Sequence, residues 1–233
     1  MAPRDGPMKA AQHMFGYLKK FAKGRIVIDP NYRDNTKFLE KVGNHDNWKE
    51  FYADAEEDIP SNVITPLGLP ARITIYKDAD HAHDLLTRRS VTGILLMVNN
   101  TPVKWVSKRQ KTVETSTYGS EMVAGRVATE LAIEYRNTLR LLGVPINGPA
   151  LMLGDNQSVV LSTTVPSSVL KKKHNAIAYH RIREAIAAGI IQFVHVATTE
   201  NCADILTKPL PGPLFHSLVK PLLFRTPTDW LTH

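Results

Sequence analysis

The 233 residues hold a single cysteine, Cys202, so neither an internal disulfide framework nor a cysteine-based zinc cage can form. No run of eighteen apolar residues occurs, so no membrane-spanning helix is expected. The first residues, Met1-Ala2-Pro3-Arg4-Asp5-Gly6-Pro7, lack the apolar stretch of a signal peptide. These absences together predict a soluble, intracellular protein. With 43% hydrophobic and 22% charged residues, the composition is that of a globular chain and wrong for a disordered one. The length suits one domain with an appendage, or two small domains.

Positive charge is present, and it is unevenly placed. Residues 1–70 hold 10 Lys/Arg and 10 Asp/Glu, while the rest holds 19 Lys/Arg against 12 Asp/Glu. The whole excess of +7 therefore lies beyond residue 70. A basic surface favours polyanions such as nucleic acid, so the few carboxylates of that part become informative.

Met8, Ala11, Phe15, Leu18 and Phe21 recur at helical spacing, and Lys19, Lys20 and Lys23 suit the negative pole of that helix. Ile26-Val27-Ile28 reads as a short strand. Residues 29–70 read as an irregular connector with an acidic cluster and prolines at 60, 66 and 70, which places a boundary close to Pro70. Strands follow at Arg72–Lys77, Val91–Val98 and Pro102–Val106, the last two joined by the turn signal Asn99-Asn100. A long helix runs from Tyr118 to about Leu142, after the N-cap candidates Thr115-Ser116-Thr117 and before Gly143. Then come a strand at Ala150–Gly154, a short helix to about Thr163, a helix at Lys172–Ala188, a strand at Ile190–Val196 and a last helical turn at Asn201–Thr207. Three antiparallel strands followed by strands joined through helices predict an α/β fold with a mixed five-stranded sheet flanked by helices. The tail, 209–233, carries Leu214, Leu218 and Leu222 and is expected to pack on the domain or on a partner.

Four acids stand out by position. Asp78 closes the first strand, Asp155 follows the fourth, Glu121 lies near the start of the long helix, and Asp204 opens the last helical turn. If the first and fourth strands are neighbours, Asp78 and Asp155 end side by side, with Glu121 and Asp204 aimed at them from above. Converging carboxylates repel unless a cation sits between them. Mg²⁺ accepts such ligands together with water and phosphate oxygens, and two ions about 4 Å apart form the clamp for phosphodiester cleavage. Taken singly, each acid is also a turn former, a cap or a complement to a helix dipole.

Asp78-Ala79-Asp80, Arg89-Ser90-Val91-Thr92-Gly93, Trp105-Val106-Ser107-Lys108-Arg109-Gln110 and Ser116-Thr117-Tyr118-Gly119-Ser120-Glu121 appear in that order. They are followed by Asp155-Asn156-Gln157-Ser158, Lys173-His174-Asn175, His180-Arg181-Ile182-Arg183-Glu184 and Ala203-Asp204-Ile205-Leu206-Thr207-Lys208-Pro209-Leu210. On these words, the chain from about Ala71 to Pro209 resembles the ribonuclease H domain of copia-type retrotransposon Pol polyproteins. The N-terminal helix with Tyr17-Leu18-Lys19-Lys20 is similar to the end of a reverse-transcriptase thumb. The resemblance implies a ribonuclease H-like fold over 71–208, preceded by a thumb-like or connection-like segment (1–70). It implies catalytic, metal-binding acids at Asp78, Glu121, Asp155 and Asp204. It also implies two Mg²⁺ ions (Mn²⁺ as substitute), hydrolysis of the RNA strand of RNA–DNA hybrids, and a reverse-transcriptase polymerase domain as partner. The expected location is the cytoplasm, inside a virus-like particle, and the nucleus.

The resemblance has departures. Gly119 stands where the family has an extra Glu, His195 is the one candidate for the mobile histidine of cellular ribonucleases H but lies inside a predicted strand and also reads as a plain strand residue, and no Tyr-X-Asp-Asp box is present. The chain is therefore expected to be a piece or remnant of an element that cannot polymerise DNA alone. Period-two alternation points Asp80 to the same face as Asp78, which makes it a competing ligand of second rank.

For nucleic acid, Asn156, Gln157 and Ser158 stand at a helix N-terminus and suit phosphate or 2′-hydroxyl contact. Lys171, Lys172, Lys173, His174, Arg181 and Arg183 form a basic helix that can grip a backbone, and Lys104, Lys108, Arg109 and Lys111 precede the long helix where the other strand would lie. Trp105 reads as core. The alternative function is a nucleic-acid-binding or polymerase-docking module with weak catalysis. A recombinase of the same broad fold would end its acid series on a Glu, whereas this series ends on Asp204.

Overall fold

A computed structural model describes residues 5–26, 28–43, 47–170 and 173–224. Helix α1 (Asp5–Lys20) and two short helices, α2 (Thr36–Leu39) and α3 (Trp48–Phe51), precede the sheet. Strands β1 (Ile73–Asp80), β2 (Val91–Val98) and β3 (Thr101–Arg109) form an antiparallel meander. Next come α4 (Thr117–Leu141), β4 (Ala150–Gly154), α5 (Gln157–Thr164), a 3₁₀ turn (Lys173–Asn175), α6 (Ala176–Ala187) and β5 (Ile191–His195). The 3₁₀ turns Thr198–Glu200 and Cys202–Leu206 and helix α7 (Gly212–Val219) complete the order. The sheet order is β3-β2-β1-β4-β5, with β1/β4 and β4/β5 parallel. This is the mixed five-stranded, helix-flanked sheet expected from the sequence.

Local chemistry accounts for the joints. Asn99 takes φ +55° in the two-residue hairpin between β2 and β3, a left-handed conformation that asparagine tolerates. The Ser116 side chain caps α4 by accepting from the Gly119 N–H at 3.3 Å, and Gly143, at φ +72°, ends the helix. Along α4, Ala124, Gly125, Ala128 and Ala132 are buried. Their smallness lets the helix lie close to the sheet and to α6.

Period-two alternation in β1 divides the core. Ile73 and Ile75 face α4, α5 and α6 in one cluster, while Tyr76 faces α2, α7 and the Cys202–Leu206 turn in the other. The segment before the sheet is not loose. Phe38 is buried in the second cluster, and Glu57 is clamped by Arg136 (2.6 and 2.8 Å) and Arg140 (2.7 Å to each oxygen) on α4. The described part of the tail, 209–224, packs on the sheet, with Leu218 and Leu222 buried in the second cluster.

Several expectations need correction. The first strand runs through Asp78 to Asp80 because its pairing with β2 continues to Val91, so Asp78 is not its last residue. Ile26 and Ile28 are exposed and form no strand, Arg25 alone making a bridge to Phe224; Val27 lies outside the described residues. Trp105 is 55% exposed on the edge strand β3 and is not core. The helix expected from Lys172 has its regular α part from Ala176, after the 3₁₀ turn, and Lys171 and Lys172 lie outside the described residues.

Candidate metal centre

The parallel pairing of β1 and β4 places Asp78 beside Asp155 at one sheet edge, and α4 brings Glu121 over them. One carboxylate oxygen from each of Asp78, Glu121 and Asp155 lies within 4.8 Å of the other two. Asp78 and Glu121 are buried and Asp155 is half-buried. Asp204, fully buried in the Cys202–Leu206 turn, stands outside this trio. Lys208 bridges them, its Nζ 2.9 Å from Asp204 Oδ2 and 3.5 Å from Asp78 Oδ2.

The last turn is fastened over the site by polar contacts. The Thr207 hydroxyl donates to Asp78 Oδ2. Asn201, buried, donates through Nδ2 to the Lys77 carbonyl (3.0 Å) and accepts from the Ala203 N–H (3.2 Å). Ser107 donates to the Leu206 carbonyl at 2.6 Å. Asp78, Gly93 and Ser107 form one cross-strand row, and the turn lies across it because Gly93 offers no side chain.

The electrostatics match a crowded carboxylate site. Burial, then the neighbouring Asp78 and Asp155 charges, push Asp204 up to about 7 against the opposing pull of Lys208. Burial raises Glu121 as well, outweighing the attraction of Lys77. Burial disfavours the Lys208 ammonium, yet Asp204, Asp78 and Asp155 together hold its pKa above the ordinary lysine value. Among the described residues, Asp204 Oδ1 is buried with no hydrogen-bond partner. Hard oxygen donors, mutual repulsion and an orphaned carboxylate oxygen fit a divalent cation of the Mg²⁺ or Mn²⁺ type. Asp78, Glu121 and Asp155 bring the oxygens that such a cation could draw on to one place, with Asp204 alongside.

Of the remaining candidates, Asp80 is turned away to His83 (2.5 Å) and stays outside the trio. His195 ends β5, its Nε2 3.1 Å from the Asp155 carbonyl. Asn156 uses its side chain to cap α5, accepting from Val159 N–H at 3.1 Å, while Gln157 and Ser158 are exposed beside it.

A groove of about 550 Å³ between β3, α4 and the 3₁₀ turn brings Lys108, Arg109, Lys111, Arg126 and His174 together. Arg109 pairs there with Asp84 (2.5 Å), and His174 stands 3.6 Å from Glu114. Lys173 and Lys104 are exposed, and Arg181 is held by Glu130 at 2.9 and 3.1 Å. Arg183 does not face a ligand. It is buried, bonds the carbonyls of Ser162, Val165 and Pro166, and lies against the rings of Trp48, Tyr52 and Tyr179.

Sequence reasoning missed Lys77 and Asn201 as members of the site, and treated Thr207 and Lys208 only as parts of a motif. The signal for Lys77 was its place in an apolar strand, one residue out of phase with Asp78.

No family model matches the chain. Over 143 residues (61% of the chain) it is 32% identical to the retrovirus-related Pol polyprotein from transposon RE2 of Arabidopsis thaliana. Over 140 residues (60%) it is 32% identical to that from transposon TNT 1-94 of Nicotiana tabacum. The chain spans about 10% of the length of either relative. Among solved structures, the N-terminal RNase H domain of a Mycobacterium tuberculosis protein, fused to maltose-binding protein, aligns over 64% of this chain and 97% of that one. The alignment has 14% identity and a TM-score of 0.45, so the fold assignment rests on the strand order above.

Proposed function

We propose that this chain, a homologue of a segment of transposon Pol polyproteins, is the ribonuclease H part of such a polyprotein and cleaves the RNA strand of RNA–DNA hybrids. The observation that carries the reading is the convergence of Asp78, Glu121 and Asp155 at the edge of two parallel strands, with Asp204 beside them. Two bound Mg²⁺ ions would supply an activated water and charge stabilisation at the leaving oxygen.

The protein's own residues do the rest. Asp78, on β1, and Asp155, just after the adjacent β4, offer oxygens from the floor of the site. Glu121 and Asp204 close on them from the two faces of the sheet, and the Asn201, Thr207 and Ser107 contacts fix the turn that carries Asp204. Lys108, Lys111 and Arg126 give the groove between β3, α4 and the 3₁₀ turn a positive wall for a phosphate backbone. Gln157 and Ser158 stand next to Asp155, where 2′-hydroxyls of the cleaved strand can be read. Contacts of this kind are salt-dependent and indifferent to base sequence. The polymerase region of the same polyprotein is the proposed partner.

The reading is tested with labelled RNA–DNA hybrid beside single- and double-stranded RNA and DNA, each incubated with Mg²⁺ or Mn²⁺. Cleavage confined to the hybrid, leaving 3′-hydroxyl and 5′-phosphate ends, is expected. A specific observation favours the alternative of a binding module: two lysines, Lys77 and Lys208, already sit on the acids. Salt-sensitive hybrid binding without cleavage, with or without a polymerase region added, would select it.

A further inference from the structure

Lys77 has no part in the chemistry described above, yet its place is built with care. It lies on the α4 face of β1 and is fully buried. Its Nζ stands 2.5 Å from Glu121 Oε2, 3.5 Å from the Glu121 carbonyl and 5.3 Å from the centre of the Phe193 ring. Position 154 on the neighbouring strand is glycine, and a Cβ there would collide with Lys77 Cε and lie 3.1 Å from Nζ. The sheet therefore leaves a slot that the lysine side chain fills.

An ammonium in such a slot loses its hydration and is tolerated only against a fixed opposite charge. That charge is Glu121, whose other oxygen accepts the Ala79 N–H at 3.2 Å. Both oxygens of Glu121 thus have donors from β1. On the other face of β1, Lys208 stands on Asp204 and Asp78. Two ammonium groups thus already stand on the acids of the centre.

We propose that Lys77 is a resident cation that withholds Glu121 from metal, so that the free protein loads one divalent ion, on Asp78 and Asp155. The inference rests on the reading of the cluster as a divalent-metal centre and adds to it which acid the free protein keeps back.

The test is Mn²⁺ titration of the full chain without nucleic acid, with free ion counted by electron paramagnetic resonance. The proteins are the wild type, Lys77→Met and the double variant Lys77→Met/Glu121→Gln, each checked for folding by circular dichroism. Methionine fills the slot without charge. One ion is expected on the wild type. On Lys77→Met, either two ions or a second site tightened at least tenfold is expected. The double variant, which loses the lysine together with its captive ligand, should return to the wild-type count. Two equivalent ions on the wild type, or identical counts and affinities for wild type and Lys77→Met, overturn the proposal.

Should Lys77→Met fail to fold, the other two proteins decide. A double variant that binds one ion fewer than the wild type shows Glu121 already serving as a ligand, which overturns the proposal. Absence of Mn²⁺ from all of them overturns the metal-centre reading itself. A failure confined to the Lys77 comparison leaves that reading standing.

Discussion

Gly93→Ala tests how the fourth acid is held. Gly93 lies between Asp78 and Ser107 in the row beneath the Cys202–Leu206 turn. A Cβ added there would stand 2.5 Å from Thr207 Cγ2, 2.8 Å from the Ala203 carbonyl oxygen and 3.2 Å from Leu206 Cβ. Thr207 cannot simply rotate aside, because its hydroxyl is engaged with Asp78, and the Ala203 oxygen is backbone. The whole turn must therefore lift by roughly half an ångström or more, carrying Asp204, Thr207 and Lys208 with it. Overpacking of this kind costs about 1–3 kcal/mol, which lowers the melting temperature by roughly 2–10 °C in a domain of this size. The effect on cleavage should be larger than that on stability, since misplacing a catalytic group by about 1 Å can cost on the order of 100-fold. Gly16→Ala is the control: nothing lies within 4 Å of its Cβ, and it should be neutral or slightly stabilising on helix propensity. Melting followed by calorimetry, with hybrid cleavage on the same samples, reads both effects. A Gly93→Ala protein with wild-type melting and wild-type cleavage would refute the account of how Asp204 is positioned.

Three further outcomes are expected. Burial opposes the Glu57 charge, but the Arg136 and Arg140 hydrogen bonds outweigh it and hold the pKa near 2, below the ordinary 4.5. The stabilisation is therefore present above pH 4.5 and is lost as pH falls towards 2. Glu57→Gln should cost on the order of 2–3 kcal/mol at pH 7 in urea unfolding, with a gap from wild type that narrows by pH 3; a gap independent of pH would contradict this. Arg183→Met strands the carbonyls of Ser162, Val165 and Pro166 and should destabilise by about 3–5 kcal/mol in the same assay. Wild-type stability would show those bonds to be replaceable by water. Lys108→Ala and Lys173→Ala should each reduce the slope of log Kd against log salt for hybrid by about one, without changing the cleavage rate at saturation. An unchanged slope would remove that residue from the interface.

Much of the fold was legible because local signals coincide with its joints. Val91–Val98 and Ala150–Gly154 are read to the residue, the first stopped by Asn99-Asn100 and the second by Asp155. The convergence of Asp78, Glu121 and Asp155 was legible too, since strand ends and helix starts meet at one edge of such a sheet. Contacts set by tertiary structure were not. Arg183 reads in sequence as a cation for a nucleic-acid backbone, but lies four residues beyond Tyr179 on the buried face of α6 and is paired with the carbonyls of Ser162, Val165 and Pro166 and with Tyr52. Trp105 looks like core, yet β3 is an edge strand whose outer face meets solvent. Lys77 was hidden because its partner lies on a helix and its slot depends on a glycine of another strand.

The central claim, that these acids form a hybrid-cleaving metal centre, is tested most directly by comparing wild type with Asp155→Asn for both hybrid cleavage and hybrid affinity. Asparagine keeps the shape of the side chain and removes one charged ligand. The account predicts that cleavage falls by at least 100-fold while the protein stays folded and still binds hybrid. Undiminished cleavage by Asp155→Asn would contradict it.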